Sequence, residues 1–163
     1  MLQMKRKIFW LGTEHPGLLD WLQAQVARHT GTSPERSAVI RAMVDTIADW
    51  SNPSSPVFEG FIQKAQAQRT LRGLDRQPRN YYVWPRNFVQ LRKTTTQLAE
   101  LGILVDESML VRLVIEEIAA RFRSGDQLFM AGFSQKVVQS IAPKGRASAT
   151  KLLGGAPIKM ASD

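Results

Sequence analysis

Clustered lysines and arginines are the side chains of this 163-residue chain whose type and spacing most suggest a function. Lys5, Arg6 and Lys7 open a short apolar run, and Arg79 precedes a second one. Cationic groups arranged in this way bind phosphate through charge and hydrogen bonds. The formal net charge is +8, and residues 51–97 carry 8 basic but 2 acidic side chains. This distribution favours a phosphate-rich partner, with an acidic membrane surface second and a solvated basic linker as the alternative.

Residue types that carry out catalysis are sparse. The imidazoles are His15 and His29, there is no cysteine, and no second histidine or carboxylate stands at metal-ligand spacing from them. His15, next to Pro16, is typical of a loop residue. Glu116 and Glu117 lie on an amphipathic helix and are typical of a solvated pair. We therefore expect a protein that is not an enzyme and that has no metal and no cofactor.

An internal repeat would position the basic residues. Shifted by 71 positions, the segment around Gly31 aligns with that around Gly102, and Arg41 aligns with Arg112. Each copy predicts a strand followed by two helices: residues 5–11, 16–29 and a helix ending near Trp50, then residues 80–84 and two further helices. The strands align best at a shift of 74, which places Trp10 on Trp84, and the first helices at 69. Self-similarity of this kind indicates two copies that share one core.

Turn and capping residues mark the helix boundaries. Gly31 is typical of a left-handed helix end, and Gly102 ends the corresponding helix of the second copy. Thr32 and Glu35 have capping-box spacing before the second helix, and Asp106 is a plausible N-cap for its counterpart.

The chain length predicts one domain. We expect it to have the following parts: residues 1–142 as a single domain of two repeats (5–50 and 79–123), with a helical linker (51–78) and a C-terminal helix (126–142), followed by a flexible basic tail (143–163).

The sequence indicates a soluble, cytoplasmic protein. The basic start lacks the apolar run of a signal peptide, and no stretch approaches the roughly 20 apolar residues of a spanning helix. The absence of cysteine fits a reducing compartment.

A lone strand followed by two helices is incomplete, because both strand edges are unpaired. Two copies that pair strand to strand give a mainly α fold with a two-stranded antiparallel ribbon and four core helices. At the residue level, Val83-Trp84-Pro85-Arg86 followed by Gly102 to Leu110 resembles the Arc-type repressors. The stretch Gly31 to Ala42 resembles the turn and second helix of the wider ribbon-helix-helix (Arc/MetJ) superfamily.

The resemblance implies a ribbon-helix-helix pseudo-dimer formed by two repeats in one chain, over roughly residues 5–123. Tandem members of this kind include TraY-type relaxosome accessory proteins and the T-DNA border- or overdrive-binding virulence proteins of VirC operons. It implies a sequence- or structure-specific double-stranded DNA-binding protein, an accessory factor in conjugative or T-DNA transfer. Its expected partners are duplex DNA and a relaxase or other DNA-transfer proteins, and it is expected to be a monomeric pseudo-dimer that can associate on DNA. The alternatives are a transcriptional repressor or plasmid regulator, and a protein-interaction scaffold that does not bind DNA.

In that family the outer face of the ribbon enters the major groove. If Trp10 and Trp84 face the core, Ile8 and Tyr82 follow them inward. The opposite register would bury Lys7 and expose Trp10, so the register that turns Trp10 and Trp84 toward the core is favoured. It directs these side chains to DNA: Lys5, Lys7, Phe9, Arg79, Tyr81 and Val83.

Further polar groups are candidates for phosphate contact: Arg6, Thr32, Ser33 and Arg86. Thr32 and Ser33 lie where a helix N-terminus offers free N–H groups, although simple capping explains them equally well. Linker cations either follow a phosphate strand or keep a surface helix soluble: Lys64, Arg69, Arg72 and Arg76. Tail cations suit a nonspecific electrostatic arm: Lys144, Arg146, Lys151 and Lys159. Arg41 and Arg112 are expected to be solvated or paired within the chain.

Overall fold

A computed structural model describes residues 3–69 and 75–142, and in this part the chain is mainly helical. The elements in chain order are β1 (Lys5–Gly12), α1 (His15–Thr30), α2 (Arg36–Trp50), α3 (Phe58–Arg69), β2 (Arg76–Val83), α4 (Pro85–Glu100), α5 (Glu107–Arg123) and α6 (Gln127–Gln139). The order strand, helix, helix therefore occurs twice, as predicted, at β1-α1-α2 and at β2-α4-α5. The predicted tail, residues 143–163, lies outside the described residues.

The two strands pair with each other as an antiparallel ribbon. Lys5 lies opposite Val83, and Gly12 lies opposite Arg76. Ile8 to Leu11 in β1 and Tyr81 to Val83 in β2 are bulky or aromatic residues, which favour extended backbone. The strand β2 ends before Pro85, which begins α4 and cannot donate to a ladder. Pairing within the chain gives each strand the partner that it lacks alone.

The helices α2 and α5 form the centre of the core. Both are buried on most of their surface, from Ala38 to Ile47 and from Leu110 to Phe122. The helix α2 packs on β2 and α4, whereas α5 packs on β1 and α1. Each central helix thus contacts the strand and first helix of the other copy, in addition to its counterpart. This interlocked packing is why neither copy can bury its apolar surface without the other.

The strands and first helices of the two copies correspond at a shift of 72, and the predicted shifts of 74 and 69 are wrong. The Gly12 N–H donates to His15 Nδ1 at 2.8 Å, and 72 positions later the Trp84 N–H donates to Asn87 Oδ1 at 2.9 Å. Trp84 is the N-cap of α4 rather than a strand residue, so aligning it with Trp10 misplaced the ribbon. Buried positions of α1 and α4 follow the same shift: Leu19 and Leu91, Val26 and Leu98.

Three of the predicted helix boundaries, at Gly31, Gly102 and Asp106, are confirmed, and one predicted capping motif is wrong. Gly31 and Gly102 adopt left-handed backbone with φ of 72° and 80°, which only glycine adopts at little cost. Asp106 accepts from the Met109 N–H at 2.7 Å as the N-cap of α5. The capping box of Thr32 and Glu35 does not form, because α2 begins at Arg36 and Glu35 itself is the N-cap residue.

The remaining helices add an aromatic cluster at one side of the core. The helix α3, within the predicted linker, places Phe61 against Trp50 with ring centroids 5.8 Å apart. The helix α6 packs on α1, α2 and α5, and its Phe133 lies edge-on to Phe122 at 6.0 Å. Such edge-to-face pairs stabilise beyond their buried area.

Candidate nucleic-acid interface

The predicted orientation of the ribbon is wrong. Phe9 and Val83 are fully buried and Tyr81 is 5% exposed, so three side chains expected to face outward point into the core. With Leu11 they form an apolar layer over α2 and α5. Burial of each large side chain stabilises the fold by about 1.5–3 kcal/mol. Phe9, Tyr81 and Val83 therefore offer nothing to a ligand on the outer side.

Lys7 is the residue whose burial was expected to forbid this register. Its side chain is 24% exposed, and its ammonium lies 2.5 Å from Glu107 Oε1. The same ammonium lies 5.9 Å from the centre of the Phe9 ring and 5.5 Å from that of Phe88. A lysine at the ribbon edge can bury its apolar stem while its charge reaches a carboxylate, so the expected cost does not arise.

The side chains expected to face the core lie outside instead. Ile8, Trp10 and Tyr82 are 47%, 51% and 53% exposed. Because directly opposite residues share a face, the outer ribbon face comprises Arg6, Ile8 and Trp10 from β1 with Arg76, Pro78, Asn80 and Tyr82 from β2. Lys5 and Arg79 belong to the inner side by register but are exposed, Lys5 at the start of β1 and Arg79 in the middle of β2.

The backbone of Tyr82 is held from behind by α2. Its N–H donates to Ser37 Oγ at 2.9 Å, and its carbonyl accepts from Arg41 Nη1 at 2.7 Å. Arg41 is fully buried and also donates to the Ser140 carbonyl and to Glu35. These bonds satisfy the outward edge of β2 and fix the direction in which the Tyr82 side chain points.

The backbone of Trp10 is held in the same way by α5. Its N–H donates to Ser108 Oγ at 2.9 Å, and its carbonyl accepts from Arg112 Nη1 at 2.5 Å. Ser108 and Arg112 stand 71 positions after Ser37 and Arg41. Of the two expectations for the arginines, solvation or pairing within the chain, the second is confirmed. The anchoring role itself was missed, although the repeated Ser-x-x-x-Arg at the start of each second helix is a signal for it.

Burial shapes the electrostatics of these anchors. Desolvation lowers the pKa of Arg41, opposed by the neighbouring carboxylate of Glu35, and it also lowers the pKa of Arg112. An arginine starts from so high a pKa that both guanidiniums keep their charge at neutral pH. Each anchor is therefore a charge-assisted hydrogen bond, which is stronger than a neutral one.

An open groove runs along the outer edge of β2 beside the first turn of α2. Its walls include Arg36, Ser37, Arg79, Asn80 and Tyr82. Arg36 is 54% exposed and lies 2.5 Å from Asp20, so its charge is shared with an exposed carboxylate. Cations and helix N–H groups beside a ribbon suit a phosphate oxygen.

The predicted phosphate contacts lie at different distances from this groove. Thr32 is half-buried, and its N–H donates to Thr30 Oγ1, while Ser33 is exposed; both precede the first turn of α2. Arg86 is 55% exposed in the first turn of α4, 3.9 Å from Asp45. Arg6 lies on the outer ribbon face. Among the linker cations, Lys64 pairs with Glu117 at 2.5 Å and Arg76 begins β2, whereas Arg72 and the tail cations lie outside the described residues.

His15, predicted as a loop residue, and Glu116, predicted as part of a solvated pair, contact each other instead. His15 is 3% exposed at the start of α1, and its Nε2 lies 2.7 Å from Glu116 Oε2. Since Nδ1 accepts from Gly12, the neutral ring donates from Nε2. Ligand atoms of Glu14, His15 and Glu116 lie within 4.8 Å of one another, but both ring nitrogens are engaged in hydrogen bonds. These hydrogen bonds fit a structural role, in which His15 holds the start of α1 against α5, better than they fit a metal centre.

Comparisons with protein-family models, curated proteins and solved structures found no match. Within residues 3–69 and 75–142, none of the helices has the length and apolar character needed to traverse a bilayer.

Proposed function

We propose that this chain is a ribbon-helix-helix pseudo-dimer that binds double-stranded DNA without catalysis, with its outer ribbon face in the major groove. The observation that carries the proposal is the exposed set of Arg6, Trp10, Asn80 and Tyr82 on a two-stranded ribbon whose opposite face buries its large apolar side chains in the core. A major groove about 12 Å wide accepts a two-stranded ribbon. The chain is mainly helical, and its assignment to the ribbon-helix-helix fold is part of this proposal.

The chemistry of the outer ribbon face suits base edges. A guanidinium pairs with the O6 and N7 of guanine, and Arg6 supplies one. An asparagine amide pairs with the N6 and N7 of adenine, and Asn80 supplies one. Ile8 and Trp10 offer apolar contact to thymine methyl groups. The face predicted from sequence held no carboxamide, so the observed orientation adds Asn80 as a group that can recognise adenine.

Exposed cations around the ribbon supply charge for the phosphate backbone. Lys5 lies at one end of the ribbon and Arg79 near its middle, and Arg36 and Arg86 lie in the first turns of α2 and α4. Contacts of this kind set the orientation of a protein on the duplex without reading sequence. They also make affinity depend steeply on salt.

The cellular role follows from the resemblance to tandem relaxosome proteins. We infer an accessory factor in conjugative or T-DNA transfer that binds duplex DNA near a transfer origin or border, beside a relaxase. Exposed Ile8, Trp10 and Tyr82 favour one second candidate, a surface that docks a partner protein instead of DNA.

A titration of labelled duplex DNA by fluorescence anisotropy tests the proposal. The native protein should bind at low salt, and Arg6→Ala or Tyr82→Ala should weaken binding about tenfold, since each well-placed base contact contributes about 1–3 kcal/mol. Arg28→Ala is the matched control, because it removes the same charge as Arg6→Ala at the exposed C-terminal end of α1, far from the ribbon.

The salt series separates specific from general effects. The logarithm of the affinity should fall linearly with the logarithm of the salt concentration, with a slope of about 0.9 per neutralised phosphate. Absence of duplex binding at low salt would refute DNA binding, and a partner protein captured through the same ribbon residues would then favour docking. Equal affinities for the Arg6 and Arg28 variants would place the DNA on another surface.

A further inference from the structure

The ribbon is built on a repeated frame. At positions 72 apart, the inner face carries like residues, Phe9 with Tyr81 and Leu11 with Val83. The backbone anchors also match, with Ser108 and Arg112 on Trp10 and Ser37 and Arg41 on Tyr82. Under this correspondence Ile8 and Asn80 are equivalent, and they lie opposite each other in the ribbon. The Ile8–Asn80 pair is therefore the centre about which the two copies exchange places.

The outer face does not repeat in the same way. At one end Arg6 lies opposite Tyr82, and at the other end Pro78 lies opposite Trp10. These two pairs are equivalent by position but unlike in chemistry. The first end presents a guanidinium and a phenol, whereas the second presents a pyrrolidine ring and an indole, with half-buried Arg76 two positions beyond, opposite Gly12. The centre combines an aliphatic side chain with a carboxamide.

From this mismatch we propose that the DNA target is not a palindrome but two unlike half-sites in fixed order, an inference that rests on the proposed function. The half-site beneath Arg6 and Tyr82 contains guanine, because guanidinium pairs with O6 and N7 of that base. The half-site beneath Trp10 and Pro78 consists of A·T pairs whose thymine methyl groups contact the apolar rings. The central pair is A·T, with its adenine held by Asn80.

The reason lies in covalent linkage of the two copies. Two identical subunits repeat each contact about a two-fold axis, so their targets tend to be palindromic. Here one chain supplies both halves of the ribbon, and each half can keep different outer residues while the inner face stays alike. The order of the half-sites then sets the direction in which the protein lies on the duplex.

Selection from a random duplex library by the native full-length chain tests the proposal. The recovered consensus should have a guanine-containing half, a central A·T pair and an A·T half. Anisotropy titrations then compare this consensus with the two palindromes made by duplicating either half. Native protein should bind the consensus at least about tenfold more tightly than either palindrome, since one mismatched pair typically costs about 1–3 kcal/mol.

A matched variant reverses the preference. The triple substitution Ile8→Asn, Trp10→Tyr and Pro78→Arg gives both halves the same three outer residue types, and every change lies at an exposed position. It should prefer the palindrome of the guanine-containing half over the native consensus. Thermal unfolding that matches the native protein shows that the ribbon is intact.

The outcomes distinguish the two levels of the argument. Absence of duplex binding by the native protein refutes the proposed function and this inference with it. Sequence-independent binding, or a palindromic consensus, overturns the inference while DNA binding stands. An asymmetric preference that survives unchanged in the triple variant overturns it as well, because the outer residues would not be its source.

Discussion

Replacement of Arg41 by leucine should unfold the protein at much lower denaturant than the loss of a surface charge does. The guanidinium is fully buried and joins three parts of the chain: the Tyr82 carbonyl of β2, the Ser140 carbonyl after α6, and the Glu35 carboxylate. Leucine can fill part of the volume but supplies no donor. The Ser140 carbonyl would then be buried without that partner.

The expected magnitude follows from these contacts. A hydrogen bond to a charged group contributes about 1.5–3 kcal/mol, and three acceptors lose theirs. Relief of the desolvation of the guanidinium offsets part of that loss. Glu35 is 42% exposed and regains contact with water, so the lost bonds to the Tyr82 and Ser140 carbonyls dominate, and we expect Arg41→Leu to cost about 3–5 kcal/mol. For a chain of this size the melting temperature should drop by roughly 10 °C.

Urea titration followed by tryptophan fluorescence measures the effect, since the chain has 4 tryptophans. Arg36→Leu is the control, because Arg36 pairs with Asp20 while both are about half exposed, and such pairs contribute about 0–1 kcal/mol. If the free energies of unfolding of the two variants agree within about 1 kcal/mol, the anchoring role given to Arg41 is wrong.

Three further predictions concern single positions. In the same urea assay the free energy of unfolding of His15→Asn should lie within about 1 kcal/mol of native, because Asn87 makes the equivalent hydrogen bond in the second copy. His15→Leu should lose about 1–2 kcal/mol, and equal losses for both variants would contradict this. Burial raises the pKa of Tyr81 above its usual 10, so the folded state retains the proton that the unfolded state releases, and stability should fall as pH rises above about 10. Tyr81→Phe should flatten that fall in urea titrations at successive pH values, and an unchanged slope would remove Tyr81 as its cause. Gly102→Ala should destabilise the fold by about 1 kcal/mol because the φ of Gly102 is 80°. Gly132→Ala should stabilise it by about 0.5–1 kcal/mol because alanine favours the helical backbone of α6. Melting temperatures that shift in the same direction for both variants would contradict these two explanations.

Local signals were sufficient for the elements and most of their ends. The left-handed glycines, the Asp106 cap and the apolar periodicity of α2 and α5 act within a few residues of one another, so a linear pattern contains them. The repeated Ser-x-x-x-Arg marks the two anchoring arginines, but no local pattern identifies the strand residues that they bind. Arg41 meets Tyr82 across 41 positions, and Arg112 meets Trp10 across 102, so nothing near either arginine marks its partner.

The amino-acid sequence by itself determined that two strand-helix-helix copies exist, because capping, turn residues and helical periodicity are short-range. It could not determine which ribbon face lies inside, since both faces of each strand carry large apolar side chains: Phe9 and Leu11 against Ile8 and Trp10, and Tyr81 and Val83 against Tyr82. Tertiary packing decided that question. Ser37 and Arg41 on α2, with Ser108 and Arg112 on α5, fix the edges of the strands, and the ribbon face that lies toward these two helices becomes the core. Arg6, Trp10, Asn80 and Tyr82 remain outside because the anchors hold their strands in that orientation.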